Sequence, residues 1–187
     1  LKPTNSFHIH SITKEVQAFE YGESHVFDVS GMEPQLACPH SVDNVDTLAH
    51  VTANREIKLN QGYIGSCTGG REEDIAVAAR IVKGRHIPPY SRLVVVPASS
   101  EVMLSCMEKG YIQDLMNAGA TITTPGCGAC LGAHEGIIAP GETCISSTNR
   151  NFPGRMGSNQ ASIYLASPAT VAASIINGRI TDPRDYL

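Results

Sequence analysis

The sequence has no tryptophan, and aromatic residues make up only 5% of it. A groove lined with stacked aromatics, as for sugars or bases, is therefore not expected. Basic charge is not in excess either: 14 Lys and Arg stand against 18 Asp and Glu, a formal net charge of −4. Surfaces for nucleic acid or anionic lipid normally carry the opposite balance, so neither partner is expected. No apolar run approaches the roughly 18 residues of a membrane span. The opening stretch LKPTNSFHIHSITKEV lacks the continuous apolar segment of a signal peptide. Repeats and low-complexity tracts are also missing. The first residue is Leu rather than Met, which suggests a trimmed or partial chain.

What remains is 187 residues with 42% apolar content, enough for one large domain or one domain with a short lead-in. Charge thins toward the end: residues 121–187 hold four basic and four acidic side chains. That third is rich in Gly, Ser, Asn, Thr and Ala, and is expected to be buried or to line a cleft. Patterning predicts strands over 24–29, 62–65, 92–96, 120–124, 142–146 and 161–165. Helices are predicted over 71–83, from Ser99 or Ser100 to about 109, over 111–118 and over 168–177. Residues 33–46, with two prolines, read as an irregular loop. Ser167-Pro168 and Gly178 supply the start and stop of the last helix. Alternation of strand and helix implies an α/β fold of three layers, α/β/α, with a mainly parallel sheet.

In such a sheet, ligands bind beyond the carboxyl ends of strands. Three loops of unusual composition leave such ends: GSCTGG at 65–70, PGCGACLG at 125–132 and STNRNFPGRMG at 147–157. The six cysteines are 38, 67, 106, 127, 130 and 144. Disulfide-dense scaffolds are short and secreted, so reduced thiols in the cytoplasm are the expectation. Cys127 and Cys130 form a CxxC pair, and Cys67 offers a third thiolate, each beside glycines. The spacing leaves open a thioredoxin-like redox pair, a zinc site and plain buried cysteines. An iron–sulfur cluster takes the most weight. Cys38, Cys106 and Cys144 lack that glycine context, and Cys106 and Cys144 read as core filler. Glu72-Glu73-Asp74 reads as a solvated helix start, and His40 and His134 as structural hydrogen-bond partners.

Five segments stand in one order: ACPHS with DNV at 37–45, IGSCT at 64–68, PGCGACLG, NRNFPGRMG at 149–157 and YLASPATVAAS at 164–174. In that order they resemble the aconitase superfamily, specifically the large subunit of 3-isopropylmalate dehydratase and the related homoaconitase. The resemblance covers residues 24–187 and corresponds to the third, cluster-binding domain. Residues 1–23 are then a lead-in, the end of a preceding domain or a linker.

The resemblance implies a [4Fe–4S] cluster held by Cys67, Cys127 and Cys130. It implies a substrate with two or three carboxylates, met by Arg150 and Arg155, with Asn149 near the cluster. The implied reaction isomerises a 2-hydroxy acid by dehydration and rehydration. It further implies that the base lies on a separate swivelling domain, here a small partner subunit, and that the other large-subunit domains complete the site. The chain alone is therefore expected to be inactive, as a fragment or one piece of a split subunit. Two departures from the pattern are Gly69, where Asn is common, and Gly128-Ala129 inside the CxxC pair, where Gly-Pro is common.

Overall fold

Among the described residues seven strands, Gln35–Ala37 (β1), Val45–Thr47 (β2), Gln61–Gly65 (β3), Arg92–Val96 (β4), Thr121–Ile122 (β5), Thr143–Ser146 (β6) and Ser162–Leu165 (β7), join in one sheet. The structure is a computed structural model that describes residues 25–187. Strand order is β2-β1-β7-β6-β3-β4-β5. From β7 to β5 every pairing is parallel, while β1 pairs antiparallel with both β2 and β7. This mostly parallel sheet with helices is the expected α/β architecture. β3 is its hub, in register with Arg92–Val96 on one side and with Cys144–Ser146 through Gln61–Tyr63 on the other.

Among the described residues six α-helices accompany the sheet: Leu48–Thr52 (α1), Ser66–Gly69 (α2), Glu72–Val82 (α3), Ser100–Glu108 (α4), Tyr111–Asn117 (α5) and Pro168–Asn177 (α6). α3 forms where the apolar period places Ile75, Ala78, Ile81 and Val82 on one buried stripe. Its first turn is closed by Asp74, whose Oδ2 accepts from the Arg71 backbone N–H at 3.0 Å. Ser99 caps α4 through Val102 N–H, and Ser167 caps α6 through Thr170 N–H. Gly178 ends α6 in the left-handed region, at φ 65°. Glu72 does not face bulk water alone: it pairs with Lys109 and accepts from the Ser105 hydroxyl at 2.5 Å.

The two faces of the sheet are covered differently. Ile64, Leu93, Val95 and Ile145 meet the buried sides of α3, α4, α5 and α6 in the larger core. Tyr63, Val94 and Val96 face the other way, onto Ala129, Cys130, Ile138 and Met156. That second cover is irregular chain with a single 3-10 turn at Gly128–Leu131. Because both faces are buried, RLVVV reads as an unbroken apolar run rather than an alternating one.

Three expectations need correction. Residues 33–46 are not all loop: they hold β1 and the start of β2, whose pairing runs from Gln35↔Thr47 to Ala37↔Val45. Pro34 and Pro39 bracket the first strand instead of forbidding it. Within 24–29, the described residues from His25 onward form no strand. Asp28 Oδ1 accepts from Ser30 N–H at 2.9 Å, turning the chain there. The strand expected over 120–124 shortens to Thr121–Ile122. By contact the chain divides into residues 1–33 and 34–187. The expected lead-in over 1–23 lies outside the described residues. Among the described residues no helix is long and apolar enough to cross a membrane.

Candidate functional site

β3 passes directly into α2, which carries Cys67 at the carboxyl edge of the sheet. The passage is tight. Ser66 adopts φ 58°, unusual for a residue with a side chain. Ser147, just past β6, stitches the turn: its Oγ accepts from Gly65 N–H at 3.1 Å and donates to Gly69 O at 3.0 Å. A Cβ at Gly69 would stand 2.3 Å from the Ser147 carbonyl oxygen. The Gly at this departure from the resembled pattern is therefore fixed by packing.

The loop carrying Cys127 and Cys130 lies over the second face. Tyr63, fully buried on β3, donates its hydroxyl to Cys127 O at 3.0 Å. Burial, and next the proximity of Cys130, push that hydroxyl's pKa above its ordinary value. The 3-10 turn closes through Cys130 N–H to Cys127 O at 2.9 Å. Gly132 packs on the following loop, where a Cβ would meet Arg155 O at 3.3 Å. Arg155 Nη2 lies 3.7 Å from Cys130 Sγ, and its guanidinium carbon is 5.7 Å from the Phe152 ring centre. Arg155 and the CxxC pair are thus in contact. Arg150 and Asn149 are exposed on the same loop, with Arg150 Nη1 donating to Asn149 O at 2.8 Å.

All six thiols are free; Cys67 and Cys127 are exposed, and Cys130 is buried. Cys106 and Cys144 are buried in α4 and β6, as expected of core filler. Burial pushes the Cys144 thiol up to about 12, and it raises Cys106 and Cys38 as well. Among the described residues, no three of His, Cys, Asp and Glu converge closely enough to hold one metal ion. A mononuclear zinc centre needs every ligand within reach of a single ion, whereas a cubane cluster attaches each thiolate to a different iron. Two buried donors without partners, Ser66 Oγ and Arg155 Nε, flank these thiols in the way an anionic group would satisfy. By donor set and surroundings the residues fit an iron–sulfur cluster.

His40 is exposed, and exposed His134 stands 3.5 Å from Glu135. Sequence reasoning missed Asn151. It is 1% exposed, and its Nδ2 points at the carbonyls of Cys38 (2.8 Å), Ser41 (3.3 Å), Ala37 (3.4 Å) and Ile163 (3.4 Å). It joins the ACPHS and NRNFPGRMG segments. The only signal in the sequence was the presence of both in one ordered set. Also missed was a polar group at the amino ends of β3 and β4, made by Gln61, Arg92 and Glu142.

A family model described as aconitase family (aconitate hydratase) matches residues 6–178. The chain is 51% identical over 168 residues to 3-isopropylmalate dehydratase large subunit 2 of Archaeoglobus fulgidus, covering 90% of the chain and 40% of that protein. It is 48% identical over 164 residues to the probable methanogen homoaconitase large subunit of Methanosarcina mazei, covering 88% and 40%. To the homoaconitase large subunit of Thermus thermophilus it is 47% identical over 165 residues, covering 88% and 39%. The chain spans about two fifths of the length of these curated relatives.

Proposed function

The chain belongs to the aconitase family, and on that premise we propose that it is the cluster-binding part of an iron–sulfur hydro-lyase large subunit, of 3-isopropylmalate dehydratase type. The substrate class is a hydroxy di- or tricarboxylic acid. Homoaconitase-type relatives, at 48% and 47% identity, bracket the same class. The observation that carries the reading is the contact of Arg155 Nη2 with Cys130 Sγ, which brings a carboxylate-binding cation to a candidate ligand thiol.

In this reading Cys67, Cys127 and Cys130 hold a [4Fe–4S] cluster, whose iron supplies Lewis acidity toward a departing hydroxyl. Arg155 and Arg150 bind the substrate carboxylates, and Asn149 donates beside them. Arg150 suits this task because its Nη1 donates to its neighbour's carbonyl while its other guanidinium donors can form a carboxylate fork. Masking carboxylate charge eases removal of a proton from the adjoining carbon. The base that takes that proton comes from elsewhere in the complete enzyme, on a small swivelling subunit. The remaining large-subunit domains close the cleft. The proposed compartment is the cytoplasm, which keeps the thiols reduced. The proposed lead-in over 1–23 is the end of a preceding domain or a linker.

Anaerobic reconstitution with iron and sulfide tests the reading. About four of each per chain are expected. Cys67→Ser, Cys127→Ser or Cys130→Ser should each abolish stable uptake, whereas Cys106→Ser and Cys144→Ser should retain it. A wild-type protein that takes up zinc alone, or loses its chromophore equally in Cys144→Ser, would overturn it. Hydratase activity is expected only with the small subunit and the other domains present.

A further inference from the structure

The cysteine-bearing loop is anchored at two ends of the sheet. One anchor is the contact with Tyr63 and Arg155 described above. The other lies at the opposite end of β3, well removed in sequence from the thiols. Arg92 Nε donates to Gln61 Oε1 at 2.6 Å, and its Nη1 and Nη2 donate to the two Glu142 oxygens at 2.7 and 2.5 Å. Glu142 Oε2 in turn accepts from Ala139 N–H at 2.8 Å, and Gln61 Nε2 donates to Gly136 O at 2.7 Å. Gln61 is fully buried, so its amide is committed to these partners. The bonds to Gly136 O and from Ala139 N–H tie this group to the segment 136–142, the stretch of chain that follows the cysteine loop, and Gln61 Nε2 also lies 4.0 Å from Cys144 Sγ.

We propose that Gln61, Arg92 and Glu142 act as a brace that positions the Cys127–Cys130 loop on the sheet. They are positioning residues, since none touches a thiol of the pair. The physical reason is the nature of the cover. Among the described residues no α-helix covers the second face, so the place of its cover depends on side-chain bonds from the strands beneath. An Arg–carboxylate fork fixes direction as well as distance, and the buried Gln61 amide fixes the carbonyl two residues beyond His134. With both made, Ile138 and Cys130 sit in the smaller core. With the Glu142 carboxylate gone, Arg92 Nη1 and Nη2 and the Ala139 N–H lose the acceptor they share, and this cover opens before the helical side does.

The proposal rests on the cluster reading for its functional sense, but its test does not need the cluster. In the full metal-free protein, alkylation by iodoacetamide is followed thiol by thiol by mass spectrometry. Cys130, buried under the loop, reports opening of this cover, and Cys106, buried in α4, reports loosening of the helical side. Glu142→Gln should speed labelling of Cys130 on the order of tenfold, the effect of losing a hydrogen bond to a charged group. Cys106 should keep its wild-type rate. Glu142→Asp retains the charge at shorter reach and should fall between the two. If Glu142→Gln does not fold, the double variant Arg92→Gln with Glu142→Gln, which leaves neither charge, takes its place and the same comparison applies. A Cys130 rate that does not move, or a Cys106 rate that rises in step, would overturn the brace. Failure of wild-type protein to take up iron and sulfide would defeat the cluster reading while leaving the thiol comparison intact.

Discussion

Replacing Asn151 separates a donor from an acceptor at one buried point. Its Nδ2 faces four carbonyl oxygens, with Cys38 O at 2.8 Å, and its Oδ1 is buried without a partner. Asn151→Ala removes the donor and strands Cys38 O, at a cost of about 1–3 kcal/mol. Asn151→Asp is isosteric but sets a carboxylate against those oxygens. Burial among acceptors raises its pKa by up to about 3–5 units. At about 1.4 kcal/mol per unit, and with only about 3.6 units between the unfolded value and pH 7.5, the carboxyl costs up to about 4–5 kcal/mol at pH 7.5. The sign of the pH effect follows. The folded-state pKa lies above the unfolded value near 3.9, so the penalty is full above the folded value and shrinks as pH falls toward the unfolded one. Protonated, the new carboxyl donates one hydrogen bond and partly replaces the amide. Denaturant unfolding of the full protein at pH 7.5 and pH 5 tests this. Asn151→Asp should be the less stable variant at pH 7.5 and should close much of the gap to Asn151→Ala at pH 5. Equal stabilities at pH 7.5, or a gap indifferent to pH, would refute the assignment of the amide as donor.

Gly69→Ala should lower stability by about 1–3 kcal/mol, because the new Cβ meets the Ser147 carbonyl at 2.3 Å and overpacked sites relax only in part; the shift in denaturant midpoint measures it. In the complete enzyme, Arg150→Lys should lower kcat/KM by about ten- to a hundredfold with iron content unchanged, since an ammonium cannot reproduce a bidentate fork. Wild-type kinetics in that variant would remove Arg150 from the substrate clamp.

Much of the helical side was legible because its signals are local. The stripe of Ile75, Ala78, Ile81 and Val82 repeats within one helix, and Ser99 and Ser167 bond N–H groups three residues on. β1 and β2 were illegible for the opposite reason. Each has three residues, and β1 is held by a pairing of Ala37 with Leu165 that no short window contains. The thiols announced themselves through spacing and glycine context. Their supports did not: Asn151 bonds a carbonyl 113 positions away, and Gln61 one 75 positions away. A polar residue in a polar loop or at the first position of a strand carries no mark of a partner that distant. For Arg155, composition showed a cation in a charge-poor segment, and only folding put it against Cys130.

The irregular cover of the second sheet face has an evolutionary consequence. In most α/β domains the layer that shields the sheet and the loops that do chemistry are different stretches of chain, and each can change at its own pace. Here one stretch does both, because Ala129 and Cys130 are core residues while Cys127, two or three positions away, is exposed. A substitution that retunes the reactive surface must also fill the same space over Tyr63 and Val96. Drift in this segment is therefore confined to the intersection of two requirements. Adaptation toward a new substrate is easier in parts of the enzyme that bear only one of them.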